Sequence, residues 1–247
     1  MNLQQRIEKW QTRSLAKNGN EEINAVDQYE LLRLESLKKE EERQRHERCQ
    51  SFLQSIPPIF RGITFDNFRI DYPEQQKIKN IACRFVETAN ARLESGTNLI
   101  LHGISGTGKT MLSIIMCQIL AKFGFDVRYE SSLQFLRLFR DRNFESYSAF
   151  ENILNHYARI QFLVIDEVTE SRVTGKQLAN WEREMLFALI DARYQQQKRC
   201  TFIISNRSKE ALSEQLGDRI FGRLSQTAIT LAFNWNSYRQ QQGDQSC

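Results

Sequence analysis

Gly103-Ile104-Ser105-Gly106-Thr107-Gly108-Lys109-Thr110 lies near the middle of this 247-residue chain. It fits the pattern G-x-x-x-x-G-K-[ST] at every position. The apolar run NLILHG (98–103) precedes it, and a helical pattern follows over about 109–123. A strand, a glycine-rich turn and a helix in that order form a phosphate-binding loop. Glycines allow backbone conformations in which successive N–H groups face inward and make an anion cradle. The helix opening near Gly108 adds its positive dipole end. In this reading Lys109 reaches the β- and γ-phosphates and Thr110 offers a hydroxyl to Mg²⁺. The candidate nucleotide-binding segment thus runs from Gly103 through Ile104, Ser105, Gly106, Thr107, Gly108, Lys109 and Thr110 to Met111.

Three further motifs fall on the C-terminal side of this loop. Phe162-Leu163-Val164-Ile165-Asp166-Glu167 is an apolar strand that carries two carboxylates to its C-terminal end, where ligands bind in open α/β sheets. Asp166 is the candidate partner of Mg²⁺, and Glu167 the candidate acid that polarises an attacking water. Phe202-Ile203-Ile204-Ser205-Asn206 ends another strand on a neutral amide. Asn206 can hydrogen-bond a γ-phosphate or the lytic water without adding negative charge. Gly217-Asp218-Arg219-Ile220-Phe221-Gly222-Arg223 places two arginines four apart on one helical face. Either could spread transition-state charge on a neighbouring subunit's nucleotide, Arg219 ahead of Arg223; the alternative is an ion pair to Asp218 or Glu214.

Outward from these motifs, apolar runs alternate with helical patterns from Pro73 onward. Strands are expected at 98–103, 127–130, 161–167, 200–206 and 227–233. Strands apolar on both faces and separated by helices predict an α/β fold with a five-stranded parallel sheet covered on both sides. The three prolines all lie between positions 57 and 73, which places a boundary between a helical region at 1–56 and an ATP-binding domain at 57–247. In the first region Ile23, Val26, Leu31, Leu34 and Leu37 make a helical stripe, and LKKEEERQRHERCQ (37–50) reads as a solvated rod. Net charge is +4, too mild to require a nucleic-acid partner. Five scattered cysteines without CxxC spacing argue against a zinc site or a disulfide framework and fit a cytoplasmic protein. No apolar run approaches the roughly 20 residues that span a bilayer, so no membrane partner is expected.

The set of motifs resembles the AAA+ ATPases. Phe65-Asp66-Asn67-Phe68 and the terminal FNWNSYR (233–239) further resemble the DnaC-type bacterial helicase loaders, a family with IstB-like relatives, over about residues 60–240. The resemblance implies an ATPase that uses ATP, ADP and Mg²⁺ as a slow switch. Asp166 becomes the Walker B metal residue, Glu167 the catalytic acid, Asn206 sensor 1 and Arg219 the arginine finger that engages a second copy. It also implies N-terminal helices that grip a DnaB-type replicative helicase, a single-stranded DNA ligand, and an extra helix between the second and third strands. The C-terminal helical lid of many AAA+ proteins is not expected. An IstB-type transposition helper that binds target DNA shares nearly every ATPase motif and is the alternative; a non-hydrolysing adaptor is a third reading.

For DNA contact, aromatics interleaved with arginines supply stacking and phosphate pairing. Phe135, Arg137, Phe139 and Arg140 fit that description, although Phe135, Leu136 and Phe139 also form a stripe suited to a core. The basic insert Ser171-Arg172-Val173-Thr174-Gly175-Lys176, with Trp181, is the second candidate.

Overall fold

The computed structural model describes residues 25–140, 147–168 and 178–238. The chain divides into two compact units, 1–47 and 48–247. Helix α1 spans Ala25–Ser55. In the first unit Arg43 bridges Glu40 and Glu47 at spacings of three and four, as expected of a solvated helix rich in both charges. Leu34 is buried there, whereas Tyr29, Leu32 and Leu37 are exposed.

In the second unit, the last turns of α1 bury Phe52, and Ile56 follows it into the core. The second unit therefore takes in residues upstream of Pro57. Next come α2 (Pro73–Glu87), α3 (Ala89–Glu94) and β1 (Leu99–Gly103). Helix α4 (Lys109–Lys122) and β2 (Val127–Ser131) follow, then α5 (Ser132–Arg140), α6 (Tyr147–Arg159) and β3 (Phe162–Asp166). The chain continues through α7 (Asn180–Gln196), β4 (Cys200–Ser205), α8 (Lys209–Leu216), α9 (Asp218–Ser225) and β5 (Ile229–Phe233). Among the described residues, two helices, α5 and α6, occupy the β2–β3 connection.

All pairings in the sheet are parallel, in the order β2-β3-β4-β1-β5. The three central strands are buried at every position. Successive side chains point to opposite faces, so each strand feeds two cores. Leu99, Leu101, Phe162, Val164, Phe202 and Ile204 pack with α2 and α4 on one face. Ile100, Leu163, Ile165 and Ile203 pack with α5, α6, α7, α8 and α9 on the other. Phe85 of α2 fixes the first layer by edge-on contacts to Phe162 and Phe202, with ring centroids 6.4 and 5.4 Å away. Such aromatic pairs contribute about 1 kcal/mol each beyond the area they bury.

Two buried polar side chains knit distant segments together. Gln118 of α4 donates to Phe60 O and Ile63 O and accepts from Gly62 N, clamping the segment ahead of α2 to the helix that follows the glycine loop. Arg193 of α7 donates to Tyr157 O, Ile160 O, Cys200 O and Thr201 Oγ1, all at 2.8 Å, and so closes the N-terminal ends of β3 and β4. No helix among the described residues is long and apolar enough to cross a membrane.

Candidate active site

The glycine loop joins the end of β1 to the start of α4. Gly108, at φ +95°, occupies the N-cap of α4 in the left-handed region. The loop is held from both flanks. Gly103 N donates to Arg207 O (3.2 Å) beyond β4, and Ile104 N to Phe233 O (3.0 Å) at the end of β5. Tyr238 N donates to Gly106 O (3.0 Å), and Thr107 Oγ1 to Ile104 O (2.7 Å) inside the loop. A side chain at Gly103, at φ +125°, would place its Cβ 2.4 Å from Phe233 O. Glycine at 103 is thus demanded by the close passage of β5, beyond any need to shape an anion cradle.

Lys109 is buried, and its Nζ donates to Gly103 O (2.9 Å) and Ile104 O (2.6 Å). The ammonium is thereby kept inside the curve of the loop, where phosphates would exchange for these carbonyls. Thr110, one residue on, donates its hydroxyl to Asp166 Oδ2 at 2.7 Å. Asp166 closes β3, and its Oδ1 accepts Glu167 N at 2.7 Å. Burial pushes the Asp166 carboxyl above the ordinary carboxylate range; the hydroxyls of Thr110 and Tyr129, the Glu167 amide and the Lys109 charge pull the other way. A hydroxyl and a carboxylate in contact are hard oxygen donors of the kind Mg²⁺ takes. A cation beside them would restore the buried carboxylate to its charged form, so these residues fit the ion. Bound there, Mg²⁺ supplies charge neutralisation at phosphate oxygens.

Glu167 adopts φ +56°, a left-handed conformation rare for a residue with a side chain. That geometry costs of order 1 kcal/mol and persists where surrounding bonds over-determine it. Two such bonds flank it: Ser132 Oγ donates to Glu167 O (2.8 Å), and Val168 N to Ile204 O (3.1 Å). Asn206 follows β4, the strand between β1 and β3. The glycine loop, the Asp166–Glu167 pair and Asn206 therefore share one edge of the sheet, as the sequence motifs anticipate.

Arg219 sits in the first turn of α9, exposed, with its guanidinium carbon 4.8 Å from the Phe187 ring centroid. Among the described residues neither Asp218 nor Glu214 forms an ion pair with it. Arg223, by contrast, pairs with Asp191 and lies over Phe187 and Tyr194. The two arginines are thus separated: Arg223 is engaged internally, and Arg219 presents its charge at the surface.

Phe135 and Phe139 need correction as stacking platforms for DNA. Phe135 is fully buried and Phe139 nearly so; their rings pack edge-on against each other, Tyr157 and Phe150. The aromatic–arginine alternation of α5 is the ordinary two-faced pattern of a helix lying on a sheet. Arg137 and Arg140 project on the exposed side, and Trp181 is 38 % exposed in the first turn of α7. Lys176 lies outside the described residues.

Tyr129, Ser132, Phe68 and Tyr238 have no place among the expected site residues, yet each touches the site. Tyr129 Oη donates to Asp166 Oδ2 at 2.8 Å. A Cβ on Gly108 would lie 3.2 Å from the Phe68 ring and 3.4 Å from that of Tyr238. Tyr238 Oη in turn donates to Arg69 O at 2.9 Å. Phe68 of FDNF and Tyr238 of the terminal motif, far apart in sequence, thus converge on the same glycine.

The family model of the IstB-like ATP-binding proteins matches residues 6–246. The chain belongs to this family. It carries an ATP-binding ATPase domain of the AAA+ type. The replicative helicase loader DnaC of Escherichia coli strain K12 is 28 % identical to this IstB-like protein over 188 residues, 74 % of this chain and 72 % of that one. The crystal structure of the DnaC helicase loader has a TM-score of 0.62 at 21 % identity, covering 72 % of this chain and all of that one. The crystal structure of DnaI has a TM-score of 0.56 at 20 % identity, covering 74 % of this chain and 93 % of that one.

Proposed function

We propose that this IstB-like ATPase loads a ring-shaped replicative helicase onto single-stranded DNA, with ATP as the switch between holding and release. The observation that carries this reading is the 28 % identity to DnaC across most of both chains. In this reading the amides of Gly103–Thr110 and the Lys109 ammonium hold the triphosphate. Thr110 and Asp166 hold Mg²⁺, Glu167 orients and deprotonates the attacking water, and Asn206 bonds the γ-phosphate or that water. Arg219 reaches the nucleotide of a second copy on the loading complex. Its exposure, and its lack of an acidic partner among the described residues, support that role over a structural one.

In this reading the first compact unit, residues 1–47, is the helicase-binding region, and the second, from Arg48 onward, is the ATPase domain. Exposed Tyr29, Leu32 and Leu37 on α1 supply apolar surface suited to a partner helix. Arg137, Arg140, Lys176 and Trp181 remain candidates for the DNA strand, and the protein acts in the cytoplasm. The family model's own description favours a second reading, a transposition helper of the IstB type.

Co-purification separates the two. The full chain is expected to retain the replicative helicase of its own cell in the presence of ATP, and a chain lacking residues 1–47 to lose it. Retention by the shortened chain alone would reverse the division of labour. A full chain that ignores the helicase but couples a transposase to target DNA would establish the second reading.

A further inference from the structure

Asp166 sits at the centre of the candidate metal site, and the geometry of its carboxylate is fixed by three donors. Oδ1 takes the Glu167 amide; Oδ2 takes both the Thr110 hydroxyl and the phenol of Tyr129. Tyr129 is buried on β2, opposite Val164 in the register, and its ring belongs to the core layer beneath α2 and α4. Its hydroxyl therefore meets Asp166 from within the packed core layer. The same corner of the fold supplies Ser132, whose hydroxyl holds the carbonyl of Glu167 while that residue keeps its left-handed backbone. One junction, β2 into α5, thus braces both acids.

We propose that Tyr129 is a positioning residue for Mg²⁺: its hydroxyl holds the Asp166 carboxylate in the orientation that leaves the Thr110 oxygen free for the metal. The proposal rests on the ATPase reading above. The physical reason is that Thr110 has a single proton to donate. While that proton points at Oδ2, the oxygen's lone pairs face away from Asp166 and toward the ligand side. With Tyr129 holding Oδ2 as well, the carboxylate cannot rotate away and release the threonine hydroxyl. Outer partners of this kind set metal affinity without touching the metal.

The competing explanation is that Asp166 merely satisfies a buried phenol. Tyr129→Phe in the full chain separates them, because it removes one oxygen and keeps the ring. A fluorescent ATP analogue is titrated with Mg²⁺ present and again in EDTA, and the ratio of the two affinities is the readout. Tyr129→Phe is expected to reduce the Mg²⁺ enhancement roughly tenfold, with the EDTA affinity within about twofold of wild type. Val127→Ala, a core truncation two residues earlier on the same strand face, is expected to leave the ratio unchanged. An unaltered ratio in Tyr129→Phe overturns the proposal. So does an equal loss in Val127→Ala, which would mark general loosening of β2. If wild type shows no Mg²⁺ enhancement, or Asp166→Asn retains it, the metal reading of Thr110 and Asp166 fails first and takes the Tyr129 role with it.

Discussion

Gly103→Ala tests how tightly the end of the sheet constrains the nucleotide loop. The added Cβ would lie 2.4 Å from Phe233 O and 2.8 Å from Phe233 C, contacts that no flexible side chain can relieve. Relief requires β5 to move, and β5 is tied at this level by the Ile104 N to Phe233 O bond and by the pairing of Gly103 with Phe233. Overpacking of this kind costs about 1–3 kcal/mol. The backbone, at φ +125°, adds about 1–3 kcal/mol for any residue with a side chain. A total near 4 kcal/mol corresponds to a fall in melting temperature of roughly 8–16 °C for a unit of this size. Gly222→Ala is the matched control: it lies within α9, has open space where the Cβ would go, and should stabilise by about 1 kcal/mol. Thermal unfolding followed by circular dichroism, with and without ATP, measures both. A Gly103→Ala protein that melts within about 2 °C of wild type and still binds ATP would refute the argument that β5 passage dictates glycine at 103.

Three other outcomes are expected. Lys109→Ala should weaken ATP affinity more than tenfold in a fluorescence titration, since the ammonium inside the loop is lost; unchanged affinity would remove Lys109 from its role. Arg193→Lys should destabilise by about 3 kcal/mol in urea unfolding, because a point charge cannot reach the four acceptors that the guanidinium spans. For His102, burial holds the imidazole below its ordinary range. The unfolded chain takes up a proton near pH 6.5 while the folded one resists, so this contribution is full above that pH and is lost as pH falls below it. His102→Leu should flatten that limb of a stability–pH profile, and a limb of unchanged slope would rule the histidine out.

Much of the site was legible in the sequence because its chemistry is local. Eight consecutive residues specify the loop, and runs such as FLVID (162–166) announce strands buried on both faces. The sequence pattern also anticipated five strands, and the family resemblance an extra helix in the β2–β3 connection, where α5 and α6 lie. What escaped notice depends on contacts between distant positions. Tyr129 reaches Asp166 across 37 residues, and Gln118 reaches Phe60 across 58. Nothing in VRYES (127–131) distinguishes a tyrosine whose hydroxyl reaches a distant carboxylate from one that only fills a core. Phe135 and Phe139 failed in the opposite direction, since a helical stripe bordered by arginines has the same spacing whether it faces bases or a sheet. Pro57 and Pro58 invited a boundary, but proline marks only a local break. The apolar positions Phe52 and Ile56 show where packing begins.

The bonds from Ile104 to Phe233 and from Gly106 to Tyr238 bear on how the protein is made. A ribosome that has released the glycine motif must add well over a hundred residues before the braces for that motif exist. Growing chains should therefore stay indifferent to ATP until the final strand and the turn after it have left the exit tunnel. Such a delay would keep half-finished molecules from competing with complete ones for the nucleotide.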